Sequence, residues 1–338
     1  MRIFNIMMSR ELGGIQQVFL DYDKALKMQN HQVFNIVSSG AAILNQVTDP
    51  IKLPNLFSRC LISKIALRIL IWKYKPDIII AHGGRAINFA KAFKPKSLPL
   101  VGVAHNYTYK RLKLCDYVIV LTEDLHKYMQ AKGYNPGRLF LLGNMLEVKN
   151  KYQQRKFNNP IVIGSLGRFV EKKGFKYFIK ATSILRKQSV NFKALLGGNG
   201  EEFEKLKKLV KKLGLQDTIK FIGWVDDKDK FFEQIDIFCL PSLHEPFGLV
   251  LLESMEYSVP IVSTDSEGPS EILRKNQDAL IVKSGLPEEM ASALMELINN
   301  PEKAAMLAES AYLRLLENYD MGVISKKLST ILSEIISK

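Results

Sequence analysis

Short apolar runs alternate with longer stretches of helical period through the first half of the chain. Residues 3–8, 33–37, 77–81, 100–104, 116–122 and 139–142 read as strands. Residues 15–28 and 56–74 place apolar side chains at helical spacing, and a further helix is predicted from near Glu123. This alternation predicts a mostly parallel sheet with helices on both faces. Residues 147–159 are polar, charged and aperiodic, and read as a linker between domains. The same pattern then restarts. Strands are predicted at 161–166, 192–197, 218–223, 236–240, 259–264 and 279–282, and helices at 175–185, 202–213, 230–235, 287–299, 302–318 and from 322 onward. The chain is therefore read as two α/β domains, 1–150 and 151–320, followed by a terminal helix at 321–338.

The most informative stretch is His244-Glu245-Pro246-Phe247-Gly248-Leu249-Val250-Leu251-Leu252-Glu253-Ser254-Met255. It follows a buried-strand pattern. Pro246 and Gly248 mark a turn, and Leu249, Leu252 and Met255 fall at helical spacing, so a helix is predicted to open near Phe247. A loop ending at a helix N-terminus presents backbone N–H groups and the positive end of the helix dipole, which makes an anion site. Glu245 stands in the loop above that site, and Glu253 lies roughly two turns along the helix. Carboxylates beside an anion site repel the anion unless cations or hydroxyls intervene. A sugar joined to a nucleotide diphosphate supplies both phosphates and hydroxyls.

Other residues are placed to serve the same chemistry. Arg168 and Lys173, five apart in a glycine-bounded loop, read as a diphosphate clamp: Arg binds phosphate in a bidentate fork and Lys acts as a point charge. Gly13 and Gly14 follow the first strand, where a glycine pair lets backbone approach a ligand closely. His82 and His105 end strands, where ligands collect in such sheets. Lys110, Arg111 and Lys113 read either as contacts to an anionic acceptor or as surface charge. Trp224 and Val225 follow a strand and are expected to flank a nucleotide base. Asp226-Asp227-Lys228-Asp229 suggests a metal site, but acids also gather at helix N-termini, and no metal is expected.

At Glu245-Pro246-Phe247-Gly248, with Glu253 eight positions after Glu245, the chain resembles retaining glycosyltransferases of the GT-B fold, specifically family 4. The resemblance covers most of the second half in specific motifs and the first half in outline. It implies an α/β GT-B fold of two Rossmann-like domains facing a cleft, the first binding the acceptor and the second the nucleotide sugar. It also implies that the terminal helix packs back on the first domain. By resemblance, Arg168 and Lys173 bind the donor diphosphate, Gly198 lies in a glycine turn beside the donor, and Glu253 holds the ribose hydroxyls. Glu245 lies near the transferred sugar, as does the loop 267–271. His105 is the histidine that matches the family's place near the donor sugar, and Gly13 and Gly14 face the donor phosphates and the acceptor. The N–H groups of Phe247, Gly248 and Leu249 are expected to stabilise leaving-group charge. The family usually reads Asn-Gly-x-Asp before the linker, whereas this chain reads Asn144-Met145-Leu146-Glu147.

Composition narrows the acceptor. The 338 residues are 47% hydrophobic, enough for two cores. Through Lys156 the chain carries 24 basic and 9 acidic residues, and from Phe157 onward 24 and 25. The positive excess of the first half points to an anionic partner: nucleic acid, an anionic membrane surface or a phosphorylated acceptor. No nucleic-acid motif accompanies it, so nucleic acid is not expected. Residues 56–75, basic and tipped by Trp72 and Tyr74, read either as a membrane-interface helix or as an ordinary layer helix. No apolar run reaches 18 residues, and no signal-peptide core is seen. Three well-separated cysteines, Cys60, Cys115 and Cys239, suit a reducing cytoplasm. The expected activity is retaining transfer of a hexose, with mannose the first choice, from a nucleotide diphosphate sugar to an anionic envelope glycolipid such as the lipopolysaccharide core. The expected location is the cytoplasm or the inner face of its membrane, with peripheral contact through the basic first domain. No cofactor is expected. A sugar-nucleotide epimerase and a catalytically silent sugar-nucleotide-binding subunit are the competing readings.

Overall fold

The computed structural model describes residues 1–9, 13–53, 61–92 and 94–338, with the backbone alone at 61, 63 and 64. The chain forms two compact units, one joining Met1–Glu147 to Asn318–Lys338 and the other comprising Val148–Glu317. Each is built on its own parallel sheet, as the alternating pattern predicts.

In the first unit the strands are β1 (Arg2–Met7), β2 (Gln32–Ser38), β3 (Ile51–Leu53), β4 (Ile78–His82), β5 (Leu100–Ala104), β6 (Tyr117–Val120) and β7 (Leu139–Leu141). They lie in the order β3-β2-β1-β4-β5-β6-β7, all in parallel register. The connecting helices are α1 (Gly14–Met28), α2 (Leu61–Tyr74), α3 (Gly83–Lys91), α4 (Tyr109–Leu112) and α5 (Glu123–Ala131). Strands such as β4 and β5 are buried along their whole length, which suits a parallel sheet covered on both faces. Thr122 starts α5 by accepting a hydrogen bond from the N–H of Leu125 at 3.2 Å.

The second unit repeats the plan. Its strands β8 (Ile161–Leu166), β9 (Phe192–Gly197), β10 (Ile219–Gly223), β11 (Ile237–Leu240), β12 (Ile261–Thr264) and β13 (Leu280–Val282) run in the order β10-β9-β8-β11-β12-β13. Its helices are α6 (Phe175–Lys187), α7 (Phe203–Lys212), α8 (Lys228–Glu233), α9 (Leu249–Glu256), α10 (Glu267–Ile272), α11 (Pro287–Asn299) and α12 (Pro301–Asn318). Ile163, Leu196, Ile237 and Val262 of the sheet share one core with Phe178, Ile179 and Leu185 of α6 and with Met290, Leu294 and Leu297 of α11. The strand order reverses beside β1 in the first unit and beside β8 in the second. Ligands bind at the carboxyl ends of strands at such a reversal.

The last helix, α13 (Met321–Ser337), belongs to the first unit. Asp320 caps it, accepting from the N–H of Gly322 at 2.8 Å. It packs against α1, where Gln29 donates to Ser325 at 3.0 Å and the His31 ring meets the Ser329 hydroxyl at 2.8 Å.

Some elements differ from the pattern reading. The stretch 148–159, aperiodic in sequence, is fastened to the second unit. The N–H groups of Lys149 and Asn150 donate to Glu256 at 2.7 and 3.3 Å. The Arg155 guanidinium donates to the carbonyls of Phe232, Glu233 and Tyr257. Buried Asp236 accepts from the N–H groups of Asn158 and Val162. Residues 267–271, read as a loop, open the short helix α10, whose Pro269 is tolerated because it stands in the first turn. The helix α3, absent from the pattern reading, begins with two glycines and buries Ala86, Ile87 and Ala90 at helical spacing. The amphipathic reading of 56–75 falls partly on 54–60, outside the described residues, as do Arg10, Glu11 and Leu12 of the loop after β1 and Cys60.

Candidate active site

In the second unit the loops after β8 and β11 are laced together at the point of strand reversal. Phe169 turns inward, fully buried, with ring centroids 4.7 Å from Phe175 and 5.9 Å from Phe221. That anchor leaves its neighbour Arg168 exposed. The carbonyl of Lys172 then accepts from the N–H groups of Leu243 and His244 at 2.8 and 3.1 Å. Arg168, Val170, Glu171, Lys172, Glu201, Leu243 and His244 line an open cavity of about 550 Å³.

Gly198 holds the floor of this loop. Its N–H donates to the carbonyl of Gly223 at 2.6 Å. Its φ of +138°, and the 1.9 Å that would separate an added Cβ from the Gly167 carbonyl oxygen, exclude any side chain. Val225 lies against the same turn, beside Gly197, while Trp224 is half exposed.

Lys173 does not point into the cavity. Its ammonium donates to the carboxylate of Glu245 in a close ion pair. Glu245 is 6% exposed and its backbone is fixed on both sides. Its N–H donates to Glu267 at 3.1 Å, and its carbonyl accepts from the N–H of Gly268 at 2.8 Å. Glu267 also meets the Nδ1 of His244 at 2.8 Å. Burial pushes the Glu267 carboxyl up, but the hydrogen bonds from His244 and from backbone N–H groups outweigh it and hold the group below the usual range.

Phe247 is buried and Gly248 caps α9 with φ +100°, so the helix opens two residues later than its periodicity predicts. Gly248 and Leu249 stand at its N-terminus, where backbone N–H groups lack helical acceptors. Glu253 consequently lies about one turn into the helix, closer to the anion end than the sequence reading put it. It is buried, with Oε1 ion-paired to Lys228 and Oε2 without a partner. Burial raises its carboxyl, against the opposing pull of Lys228.

Lys228, His244 and Glu267 were not assigned roles from sequence. Lys228 sits in an acid-rich turn, and its partner lies 25 residues away, a pairing that no local spacing reports. In the same turn Asp227 caps α8, accepting from the N–H of Lys230 at 3.1 Å, and pairs with the Lys230 ammonium at 2.8 Å. Among the described residues no cluster of three or more His, Cys, Asp or Glu has metal-binding geometry.

The first unit carries its candidates at the equivalent strand ends. Gly13 precedes α1 and its carbonyl accepts from Gln16 and Gln17. Gly14 is the first residue of that helix. His82 and His105 form a pair, with ring centroids 5.5 Å apart. Tyr22 and Phe19 pack against His82 in T-shaped geometry, with ring centroids 4.9 and 5.7 Å away. Both ring nitrogens of His82 and the Nε2 of His105 are buried without hydrogen-bond partners. Burial lowers His105 to about 4, and burial together with the neighbouring His105 lowers His82 well below the usual imidazole range. Both rings are therefore neutral at neutral pH. Arg111 donates to Asn88 at 2.9 Å, and Glu147 pairs with Lys24 at 2.8 Å, so these two have structural partners within the unit. Lys110 and Lys113 are exposed.

Comparison with known proteins fits this geometry. Residues 148–314, nearly the whole second unit, match the family model described as glycosyl transferases group 1. An uncharacterized glycosyltransferase of Haemophilus influenzae is 28% identical over 351 residues, covering 97% of this chain and 99% of the relative. The lipopolysaccharide core biosynthesis glycosyltransferase LpsE of Rhizobium meliloti is 27% identical over 327 residues, covering 93% and 94%. The crystal structure of Anabaena HepE in complex with UDP and glucose superposes with a TM-score of 0.85 at 19% identity, covering 99% of this chain and 100% of that one. The fold is GT-B, with two Rossmann-like α/β domains. The protein is a glycosyltransferase, and its second unit is similar to the group 1 domain.

Proposed function

We propose that the protein transfers a hexosyl group from a nucleotide diphosphate sugar to a lipopolysaccharide-core-type glycolipid, with retention of anomeric configuration and without a metal. The observation that carries the donor site is the exposed Arg168 in an open cavity at the strand reversal. Lys173 and the N-terminus of α9 belong to the same laced loops. Arg168 takes the diphosphate in place of a metal ion, while Lys173 holds Glu245 at the base of the same loops. Backbone N–H groups around Gly248 add to the Arg168 charge. The free Oε2 of Glu253 accepts from ribose hydroxyls. Glu245, held by Lys173, faces the positive charge that develops on the sugar. The second unit therefore binds the donor, and the first, with its neutral His82–His105 pair, serves the acceptor and the sugar hydroxyls.

The name of the Rhizobium relative supports a lipopolysaccharide-core acceptor. The UDP and glucose of HepE make uridine diphosphate sugars the first donors to try, with mannose carried by a guanosine diphosphate next. The test is incubation with each donor and a truncated lipopolysaccharide core. The proposal expects a mass gain of one hexosyl residue and an anomeric signal matching the donor's configuration. An inverted anomer removes retention, and interconversion of the donor without acceptor makes the protein an epimerase.

A further inference from the structure

Four large apolar side chains on one face of α2 lie open to solvent. Ile62, Ile65, Ile69 and Trp72 are 68%, 48%, 57% and 78% exposed. Their spacing puts them on one side of the helix, within an arc of about 80°. Leu67 and Ile71, on the opposite side, are buried and hold the helix to the unit. A single exposed isoleucine is ordinary, but a contiguous apolar stripe marks an interaction surface.

The rim of the stripe is cationic. Arg68 lies along the edge marked by Trp72, Lys73 along the edge marked by Ile62, and both are exposed. Lys75 follows the end of the helix. No acid occurs between Leu61 and Lys75. The unit itself carries 23 basic against 11 acidic residues.

We propose that this face of α2 docks the protein on an anionic lipid surface. The isoleucines and Trp72 enter the boundary between headgroups and acyl chains, and Arg68, Lys73 and Lys75 meet the headgroup charge. A second copy of the chain is a poorer occupant, because a two-fold contact would press two cationic rims together. The proposal goes beyond the donor site, and its test uses no transfer reaction.

The test is sedimentation of the full chain with vesicles of phosphatidylglycerol and phosphatidylethanolamine, and with vesicles of phosphatidylcholine alone. In a Trp224→Phe background, Trp72 emission reports its own environment. The expected result is binding to the phosphatidylglycerol vesicles, a blue shift of Trp72, and weakening by salt. Ile69→Glu lowers binding more than about tenfold, and Arg68→Gln or Lys73→Gln about fivefold each. Trp72→Ser, at an exposed position, replaces Ile69→Glu if that variant does not fold. Absence of binding, equal binding to phosphatidylcholine, or binding unchanged by these substitutions overturns the proposal. So does a dimer in solution that Ile69→Glu converts to monomer.

Discussion

Lys173 and Glu245 join the two loops at the strand reversal of the second unit through an ion pair whose side chains are 22% and 8% exposed. The cation that the sequence offers to a diphosphate is thus already committed to a carboxylate that the sequence offers to a sugar. Removing one partner strands the other in a buried place. Lys173→Met is expected to cost about 3 kcal/mol in stability, measured by hydrogen exchange in the second unit. Adding Glu245→Gln recovers most of that loss. Equal losses in the single and double variants contradict the coupling.

Gly198→Ala puts a Cβ into the carbonyl of Gly167, at a backbone angle that side chains avoid. The expected cost is about 1–3 kcal/mol of strain. Because the same carbonyl belongs to the residue before Arg168, donor affinity falls as well. A variant with wild-type affinity and stability contradicts the placement of this turn.

Burial holds His105 near 4 rather than its usual 6.5, so the unfolded chain takes up a proton through this window that the folded unit refuses. The stability this group contributes is fully present above pH 6.5 and is lost as the pH falls through about 4. His82, lowered too, adds in the same direction. Protection factors of the first unit, corrected for the intrinsic pH dependence of amide exchange, are expected to fall toward acid across this range, and His105→Gln to flatten the slope. An unchanged slope contradicts a buried neutral ring.

Glu253 behaves in the opposite sense. Its carboxyl is raised by burial, so the folded chain keeps a proton that the unfolded chain has released. Its favourable contribution is present in acid and declines as the pH rises through the raised value. Glu253→Gln removes that decline, so the variant is expected to be at least as stable as wild type at neutral pH while binding donor more weakly. Lower stability with unchanged donor affinity contradicts the ribose assignment.

The frame of both sheets was legible because its strands are short apolar runs and its helices hold period: residues 100–104, 161–166 and 192–197 are strands to the residue. Edge elements such as β3, three residues long, are too short to leave a pattern. In the site, residues joined by chain proximity, such as Arg168 and Lys173, could be grouped from sequence. Pairings across many residues could not. Lys228 with Glu253, Lys173 with Glu245 and His244 with Glu267 depend on how two loops face each other, and a charge in a polar turn looks the same with or without a distant partner. The neutral pair of His82 and His105 was similarly hidden, since each histidine ends a different strand and only the sheet order makes them neighbours.

The donor site rests on Arg168, and a thermal-shift panel of nucleotide diphosphates and their sugars, with and without manganese, tests it most directly. The account predicts that one nucleotide family stabilises the protein equally in both conditions, by about 2.7 kcal/mol at a ligand concentration 100 times its Kd, and that Arg168→Ala abolishes the shift. No shift with any nucleotide, or an Arg168→Ala variant that shifts like wild type, contradicts it.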